Sequence, residues 1–181
     1  MVAAPTARPH PKGHVMNPET SMKIRRLMFA TDFSPCSQEA LAHARYLATE
    51  LGAEVNVVHV FERPFFIEAG VSHRLQLRHD VDQWIQEAKD EAKRRLESLA
   101  NELRIKGLTV TVAFREGIPF VEILKEADEW RADLIVMGTH GRTGVAHALI
   151  GSVAERVVER APCAVLTVRP AQASPGKPAS E

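Results

Sequence analysis

The chain has 181 residues, a length that suits one domain with a full core better than two. Lys and Arg together number 23, as do Asp and Glu, so the formal net charge is zero and nothing indicates a nucleic-acid partner. No apolar run approaches the roughly 20 residues that span a bilayer, and no apolar segment near the N-terminus indicates a secretory signal. Two distant cysteines, Cys36 and Cys163, argue against a zinc site or a disulfide framework. We therefore predict a cytoplasmic protein with neither a nucleic-acid nor a membrane partner.

Both ends of the chain differ in composition from its middle. Residues 1–21 carry four prolines among small and polar residues, and residues 171–181 carry two prolines and a glycine. Neither segment shows the apolar period of a helix or a strand, so we predict a flexible tail at each end. Residues 22–170 are predicted to form a single folded domain, because no internal repeat indicates a tandem arrangement.

The first half of this domain begins with a partly apolar run over residues 24–30, which predicts a strand. Ser34 before Pro35 is a predicted helix N-cap, apolar residues follow at helical spacing, and Gly52 is the predicted stop. The sequence VNVVHV over residues 55–60 predicts a second strand. Residues 61–79 show no clear period, and we interpret them as an irregular connection.

The second half continues the alternation of helices and strands. The predicted elements are a long helix from Val81 to Gly107 with Trp84 on its apolar face, a strand over 108–114, a short helix opened by Pro119, a strand over 134–137, a helix over 151–160 and a last strand from Cys163 to Val168. Such alternation is typical of an α/β domain, in which a parallel sheet has helices on both faces.

Ligands of such domains bind beyond the carboxyl ends of the strands, where the strand order reverses. Here the first strand ends in Ala30, Thr31 and Asp32, and the fourth ends in Met137 and Gly138. The carboxyl ends of parallel strands lie at one edge of the sheet, so these residues are expected to face the same site.

A glycine-rich segment follows the fourth strand and reads Gly138-Thr-His-Gly141-Arg142-Thr-Gly, with Gly151-Ser152 at a predicted helix start. Glycine lets a backbone approach a ligand closely, and successive N–H groups in such a loop form an anion-binding nest. Free N–H groups of Gly151 and Ser152 at a helix N-terminus would favour a phosphate. The alternative is a tight turn, which does not require this number of glycines. Neither the dinucleotide fingerprint nor a Walker A loop is present.

The spacing of Gly138, Gly141, Gly151 and Ser152 resembles the glycine motif of ATP-binding universal stress proteins. Further segments that resemble the family are residues 26–34 (RLMFATDFS), 59–60 (HV), 117–119 (GIP) and 162–165 (PCAV). The resemblance extends over about residues 23–169. It implies a three-layer, flavodoxin-like or Rossmann-like domain with a five-stranded parallel sheet of order 3-2-1-4-5.

The resemblance also implies a role for individual residues. The nucleoside would contact Ala30, Thr31 and Asp32, and the backbone of Val60 would lie on the adenine side. Met137 and Gly138 would flank the ribose and phosphates. The phosphates would contact Gly141, Gly151, Ser152 and Val153, and Arg142 would reach them as a cation or remain solvated. The implied cofactor is ATP, with Mg²⁺ as a companion ion and no protein metal site. The implied assembly is a homodimer through the last strand.

Several residues have a second interpretation. Asp32 could only cap a turn, and Ser152 could only be a helix N-cap. His140 invites a catalytic role, but no nearby carboxylate orients it as a base. His59 and Cys36 are interpreted as packed residues, against a redox role for the thiol.

The function that follows from the resemblance is an ATP-binding, nucleotide-dependent sensor or regulator of the stress response with unidentified protein partners. No catalytic residue is predicted. Two alternatives remain open: a dimeric interaction or chaperone-like protein that binds no nucleotide, and a slow ATP hydrolase.

Overall fold

In the computed structural model, residues 23–63, 75–141 and 150–169 are described, and of residues 75–80 only the backbone is. Both predicted tails and Arg142 lie outside these residues. The elements in chain order are the strands and helices β1 (Arg26–Ala30), α1 (Pro35–Leu51), β2 (Glu54–Phe61), α2 (Leu75–Ile105), β3 (Val110–Glu116), α3 (Pro119–Glu129), β4 (Leu134–Gly138), α4 (Ser152–Arg160) and β5 (Ala164–Val168).

The five strands form one parallel sheet in the order β3-β2-β1-β4-β5. The predicted flavodoxin-like fold and strand order are therefore confirmed. The order reverses between β2 and β4 on either side of β1, which places the switch point at the carboxyl end of β1.

Alternate residues of the strands supply two separate cores. On one face of β1, Leu27 and Phe29 pack with the alanines of α1 and the leucines of α2. On the other face, Met28 and Ala30 pack with apolar residues of α3 and α4. Side chains alternate along a strand, so successive residues of β1 enter different cores. The helical layers cover both faces of β1, and its residues are apolar at every covered position.

Local signals in the sequence set the ends of α1. The side chain of Ser34 accepts a hydrogen bond from Ser37 N–H, and Pro35 occupies the first turn of the helix. Gly52 ends the helix in the left-handed region at φ 61°, a conformation that glycine adopts at little cost. Both predicted boundaries of this helix are confirmed.

The interpretation of residues 61–79 as one irregular connection was wrong at both ends. Phe61 is the last residue of β2, and α2 already begins at Leu75. No glycine or proline lies between Leu75 and Val81, so a helix that is stable further along can extend back through this segment. Trp84 is 51% exposed and not on a buried face, and the first buried residue among the described side chains of α2 is Ile85.

Candidate functional site

A cavity of about 330 Å³ opens at the carboxyl ends of β1, β2 and β4. Its lining includes apolar side chains that belong to the core beneath α3 and α4, together with polar residues. The lining residues are Ala30, Thr31, Asp32, Ser37, Val58, Val60, Glu62, Pro119, Ile123, Met137, Gly138, Thr139, His140, Gly141, Gly151, Ser152, Val153 and Ala154.

The predicted site residues come together on the wall of this cavity. The exception is Arg142, which lies outside the described residues. Residues from three strands, a loop and a helix start, separated by more than 100 positions along the chain, thus share one site. The structure tests this proximity and not the contacts with a nucleotide, which stay predictions.

A hydrogen-bonded turn at the end of β1 holds Asp32. Ser34 N–H donates to Asp32 Oδ1 over 3.0 Å, and Phe33 N–H donates to Thr31 Oγ1 over 3.0 Å. Phe33 itself has a φ of 62°, an uncommon conformation for a residue with a side chain. Asp32 therefore does cap its turn, as one interpretation held, and it also lines the cavity.

A hydrogen bond from His59 stabilises the backbone of this turn. The ring is 4% exposed, and its Nδ1 lies 2.7 Å from Thr31 O. A carbonyl oxygen only accepts, so Nδ1 carries the proton and donates. The centres of the Phe33 and His59 rings lie 4.5 Å apart. The Arg95 guanidinium carbon lies 4.4 Å from the centre of the Phe33 ring. His59 is thus a packed residue, as predicted, and it fixes the backbone that carries Asp32.

Gly138 is required for packing between β4 and the start of α1. A Cβ at this position would lie 2.8 Å from Cys36 Sγ and 3.1 Å from the Cys36 carbonyl carbon. Gly141 has a different constraint, because a Cβ there would lie 2.8 Å from Asp32 Oδ2. The two glycines bring α1 and the Asp32 carboxylate close to the loop that follows β4.

The start of α4 differs from its prediction in two respects. The Gly151 N–H is not free, because it donates to Thr139 O over 2.7 Å. Gly151 is the N-cap and Ser152 the first helical residue, so Ser152 does not cap the helix. The first-turn N–H groups of a helix have no partner within it, and they begin here at Ser152 and Val153. The backbone N–H groups available at this helix start therefore come after Gly151.

The close approach of the loop after β4 also explains why residue 151 is a glycine. A Cβ would lie 3.0 Å from Thr139 O and 3.6 Å from His140 Cα. Any side chain would push the start of α4 away from the loop that follows β4. Thr139, which is 2% exposed, thus connects that loop to α4.

Cys36 is a packed residue rather than an accessible thiol. It is 5% exposed, and its Sγ donates to Val168 O over 3.3 Å at the end of β5. The second cysteine, Cys163, is partly buried, and burial raises the pKa of its thiol with a further contribution from the charge of Asp133.

A buried polar cluster anchors α3, the helix that carries Pro119 and Ile123. Glu126 is 6% exposed; it accepts from Asn56 Nδ2 over 2.7 Å and from Arg115 Nε over 2.6 Å. Hydrogen bonds to Glu126 and Glu129 raise the pKa of Arg115 above its ordinary value. Asn56 Oδ1 is buried without a hydrogen-bond partner among the described residues.

Some residues of the cavity were not predicted from the sequence. They are Ser37, Val58, Glu62, Pro119, Ile123, Thr139, His140 and Ala154. Val58 could have been found from Val60, because residues two apart on a strand share a face. Pro119 and Ile123 lie on a helix whose position over the carboxyl edge becomes visible only in three dimensions.

No group of three His, Cys, Asp or Glu residues that could hold a metal ion occurs among the residues with described side chains. In the described part of the chain, no helix is long and apolar enough to cross a membrane.

Comparison with known proteins identifies close relatives. The protein is 36% identical over 145 residues to the universal stress protein MJ0531 of Methanocaldococcus jannaschii, covering 80% of this chain and 82% of that protein. It is 32% identical over 160 residues to MJ0577 of the same organism, covering 82% and 97%. The solved structure of MJ0577 superposes with a TM-score of 0.70 at 30% identity, covering 81% and 96% of the two chains.

A more distant neighbour shows the same fold. It is a universal stress protein from Archaeoglobus fulgidus, solved in complex with dAMP, with a TM-score of 0.55 at 23% identity and coverage of 81% and 98%. The model of the universal stress protein family matches residues 23–169, which include every element of the sheet. The chain therefore belongs to the universal stress protein family.

Proposed function

We propose that this protein binds ATP in the cavity at the carboxyl edge of the sheet and acts as a nucleotide-dependent sensor or regulator of the stress response. The observation that carries the proposal is the arrangement of the cavity. Its lining combines buried apolar side chains, the carboxylate of Asp32 and the start of α4. Each of these parts matches one part of a nucleotide.

The apolar side chains that line the cavity suit a purine base. Val58, Val60, Ile123 and Met137 belong to the buried core and also line the cavity. Sites for small molecules are mostly apolar with a few polar groups that fix orientation. The backbone of Val60 would supply hydrogen bonds to the base edge, and Asp32 would accept hydrogen bonds from hydroxyl groups of the sugar.

The start of α4 suits phosphate. Ser152 and Val153 begin α4, where N–H groups and the helix dipole favour an anion. Gly141 and Gly151 let the loop after β4 approach Asp32 and the start of α4 approach Thr139, because side chains there would meet these residues. That an adenine nucleotide can be bound by this fold is supported by the Archaeoglobus fulgidus protein in complex with dAMP.

Mg²⁺ would accompany the phosphates rather than occupy a protein cage. Mg²⁺ commonly keeps several waters and binds the phosphates of a substrate, so it does not require a dedicated protein site. The ion would neutralise phosphate charge beside the carboxylate.

Binding at the carboxyl edge of the sheet would change a surface that partner proteins contact. A homodimer in the cytoplasm would provide such a surface. Among the described strands β5 pairs only with β4, so its outer edge can pair with a second copy. The alternatives are a dimeric interaction protein that needs no nucleotide and a slow ATP hydrolase.

Isothermal titration with ATP and Mg²⁺ tests the proposal. The wild type should bind, Ser152→Ala should bind several-fold more weakly, and Gly151→Val should lose binding because its side chain displaces the start of α4. A folded wild type that binds no ATP would leave the nucleotide-independent alternative.

Release of inorganic phosphate under the same conditions separates sensing from hydrolysis. A sensor should release phosphate at a rate close to that of ATP alone in buffer. A rate well above background that falls in Asp32→Asn would instead establish a hydrolase.

A further inference from the structure

Phe33 has a backbone conformation that residues with a side chain rarely adopt. Its φ of 62° lies in the left-handed region, where the Cβ atom comes too close to the backbone. Glycine has no Cβ and adopts this conformation at little cost. Phe33 directly follows Asp32, which lines the cavity. A strained residue next to a binding residue persists only where the surrounding structure holds it.

Hydrogen bonds from two backbone N–H groups define the turn around Phe33. Phe33 N–H donates to Thr31 Oγ1 and Ser34 N–H donates to Asp32 Oδ1, each over 3.0 Å. Thr31 Oγ1 also lies 3.1 Å from Ser37 Oγ, and the Ser37 hydroxyl donates to Ser34 O over 2.9 Å. Because the proton of Ser37 is used in this bond, Thr31 donates to Ser37. The turn is thereby joined to the start of α1.

The Phe33 ring packs on the face of the sheet opposite the cavity. It adjoins the core beneath α1 and α2, whereas the cavity is lined by residues of the core beneath α3 and α4. The ring contacts the His59 ring at 4.5 Å between centres, and the Arg95 guanidinium carbon lies 4.4 Å from its centre. Paired rings and a cation over an aromatic face both attract, so these contacts offset the strain at Phe33.

The Asp32 carboxylate lies on the cavity side of the same turn. A Cβ built on Gly141 would lie 2.8 Å from Asp32 Oδ2, so this oxygen lies against the loop that follows β4. The φ of Phe33 sets the direction of the ring relative to the preceding residue. Rotation out of the left-handed region would therefore move either the ring away from His59 and Arg95 or the carboxylate away from Gly141.

We propose that Phe33 is a positioning residue for nucleotide binding: contacts of its ring hold the left-handed conformation that keeps the Asp32 carboxylate at the cavity. The inference rests on the proposed function and adds to it a residue that does not line the cavity. It also gives α2 a part in the site, because Arg95 belongs to that helix.

Titration of full-length variants with ATP and Mg²⁺ tests this inference. Phe33→Ala removes the ring but keeps a Cβ, so the turn would leave the left-handed region and have to regain it on binding. This should weaken ATP binding by about tenfold. Phe33→Gly also removes the ring but has no Cβ that opposes the conformation, so its affinity should stay within about threefold of the wild type. A residue that acted through packing alone would give the opposite order, because glycine removes more of the side chain.

Arg131 provides a matched control. It is the other residue besides Phe33 and the glycines that has a positive φ in the described part of the chain, at 55°, and it precedes β4 at the edge of the sheet opposite the cavity. Arg131→Ala and Arg131→Gly should both leave the ATP affinity unchanged. Phe33→Leu, which keeps an apolar side chain in the core, replaces Phe33→Ala if that variant does not fold, and it should again bind more weakly than Phe33→Gly.

A double-mutant cycle with Asp32→Asn shows whether the effect acts through the carboxylate. In that background Phe33→Ala should weaken ATP binding by no more than about twofold further. An equal loss in both backgrounds, or a Phe33→Gly variant that binds as weakly as Phe33→Ala, would overturn the inference while ATP binding itself stands. Wild-type affinity in Phe33→Ala would do the same. A wild type that binds no ATP would refute the proposed function, and this inference with it.

Discussion

Replacing Gly138 by alanine should destabilise the protein even without a nucleotide. The new Cβ would lie 2.8 Å from Cys36 Sγ, 3.1 Å from the Cys36 carbonyl carbon and 3.2 Å from Ser37 N. Two of these atoms belong to the backbone of the first turn of α1, which cannot move without disturbing the helix start. The φ of Gly138 is not in the left-handed region, so the cost comes from overpacking rather than from backbone strain.

Overpacking of a rigid contact typically costs 1–3 kcal/mol, and we expect a loss of about 2 kcal/mol in the free energy of unfolding for Gly138→Ala. Urea unfolding followed by circular dichroism measures this value. In a Cys36→Ala background the sulfur is absent and only the two backbone contacts remain. The cost of the same change should then fall to about 1 kcal/mol, which gives a coupling of about 1 kcal/mol between the two positions.

Two results would refute this reasoning. One is a Gly138→Ala variant whose stability lies within about 0.5 kcal/mol of the wild type, the range of an ordinary surface substitution. The other is an equal cost in both backgrounds, which would mean that the sulfur does not limit the space. In the first case Gly138 would have to be explained by the ligand alone, and in the second by the two backbone contacts.

Three further predictions concern the cavity and its supports. Glu126→Ala should lower the free energy of unfolding, measured in urea, by about 2–3 kcal/mol, because it leaves buried Asn56 without its hydrogen-bond acceptor. The control Glu129→Ala, at the exposed end of the cluster, should cost under about 1 kcal/mol. Equal losses in the two variants would refute the role given to Glu126. Asp32→Asn keeps an oxygen for Ser34 N–H and should retain the wild-type melting temperature but bind ATP at least about tenfold more weakly by titration; wild-type affinity would mean that Asp32 only caps its turn. Burial raises the pKa of Cys163, so the folded protein keeps this thiol protonated at a pH where the thiol of the unfolded chain has begun to ionise. The stability that this thiol contributes should be present below its unfolded pKa and decline as the pH rises above that value. Urea unfolding at increasing alkaline pH should show this decline in the wild type and not in Cys163→Ala.

The order of elements was predictable because each has a local signal. Ser34, Pro35 and Gly52 delimit α1, and the buried strands are nearly continuous apolar runs. The strand order, in contrast, came from the family resemblance, since periodicity alone does not determine which strands are neighbours. The start of α2 was missed because residues 75–80 have good helix propensity but no apolar period clear enough to mark a boundary.

At the site, the sequence predicted which residues meet but not what each one does. Val157 and Val158 are adjacent in α4 and both apolar, so composition alone does not predict which of them is buried. Val157 is fully buried and Val158 is 50% exposed, because neighbouring positions on a helix point about 100° apart. Likewise Gly151 was expected to offer a free N–H, and only the coordinates show its bond to Thr139.

Backbone amide NMR during a titration with ATP and Mg²⁺ tests the central claim most directly, because glycine amides report on both ends of the sheet. We predict large chemical-shift changes for the amides of Gly141, Gly151 and Ser152 beside the cavity. We predict small changes for Gly52 and Gly107, which precede β2 and β3 at the opposite edge. The contrary pattern, with no saturable shift around the cavity or with the largest shifts at the opposite edge, would contradict nucleotide binding at this site.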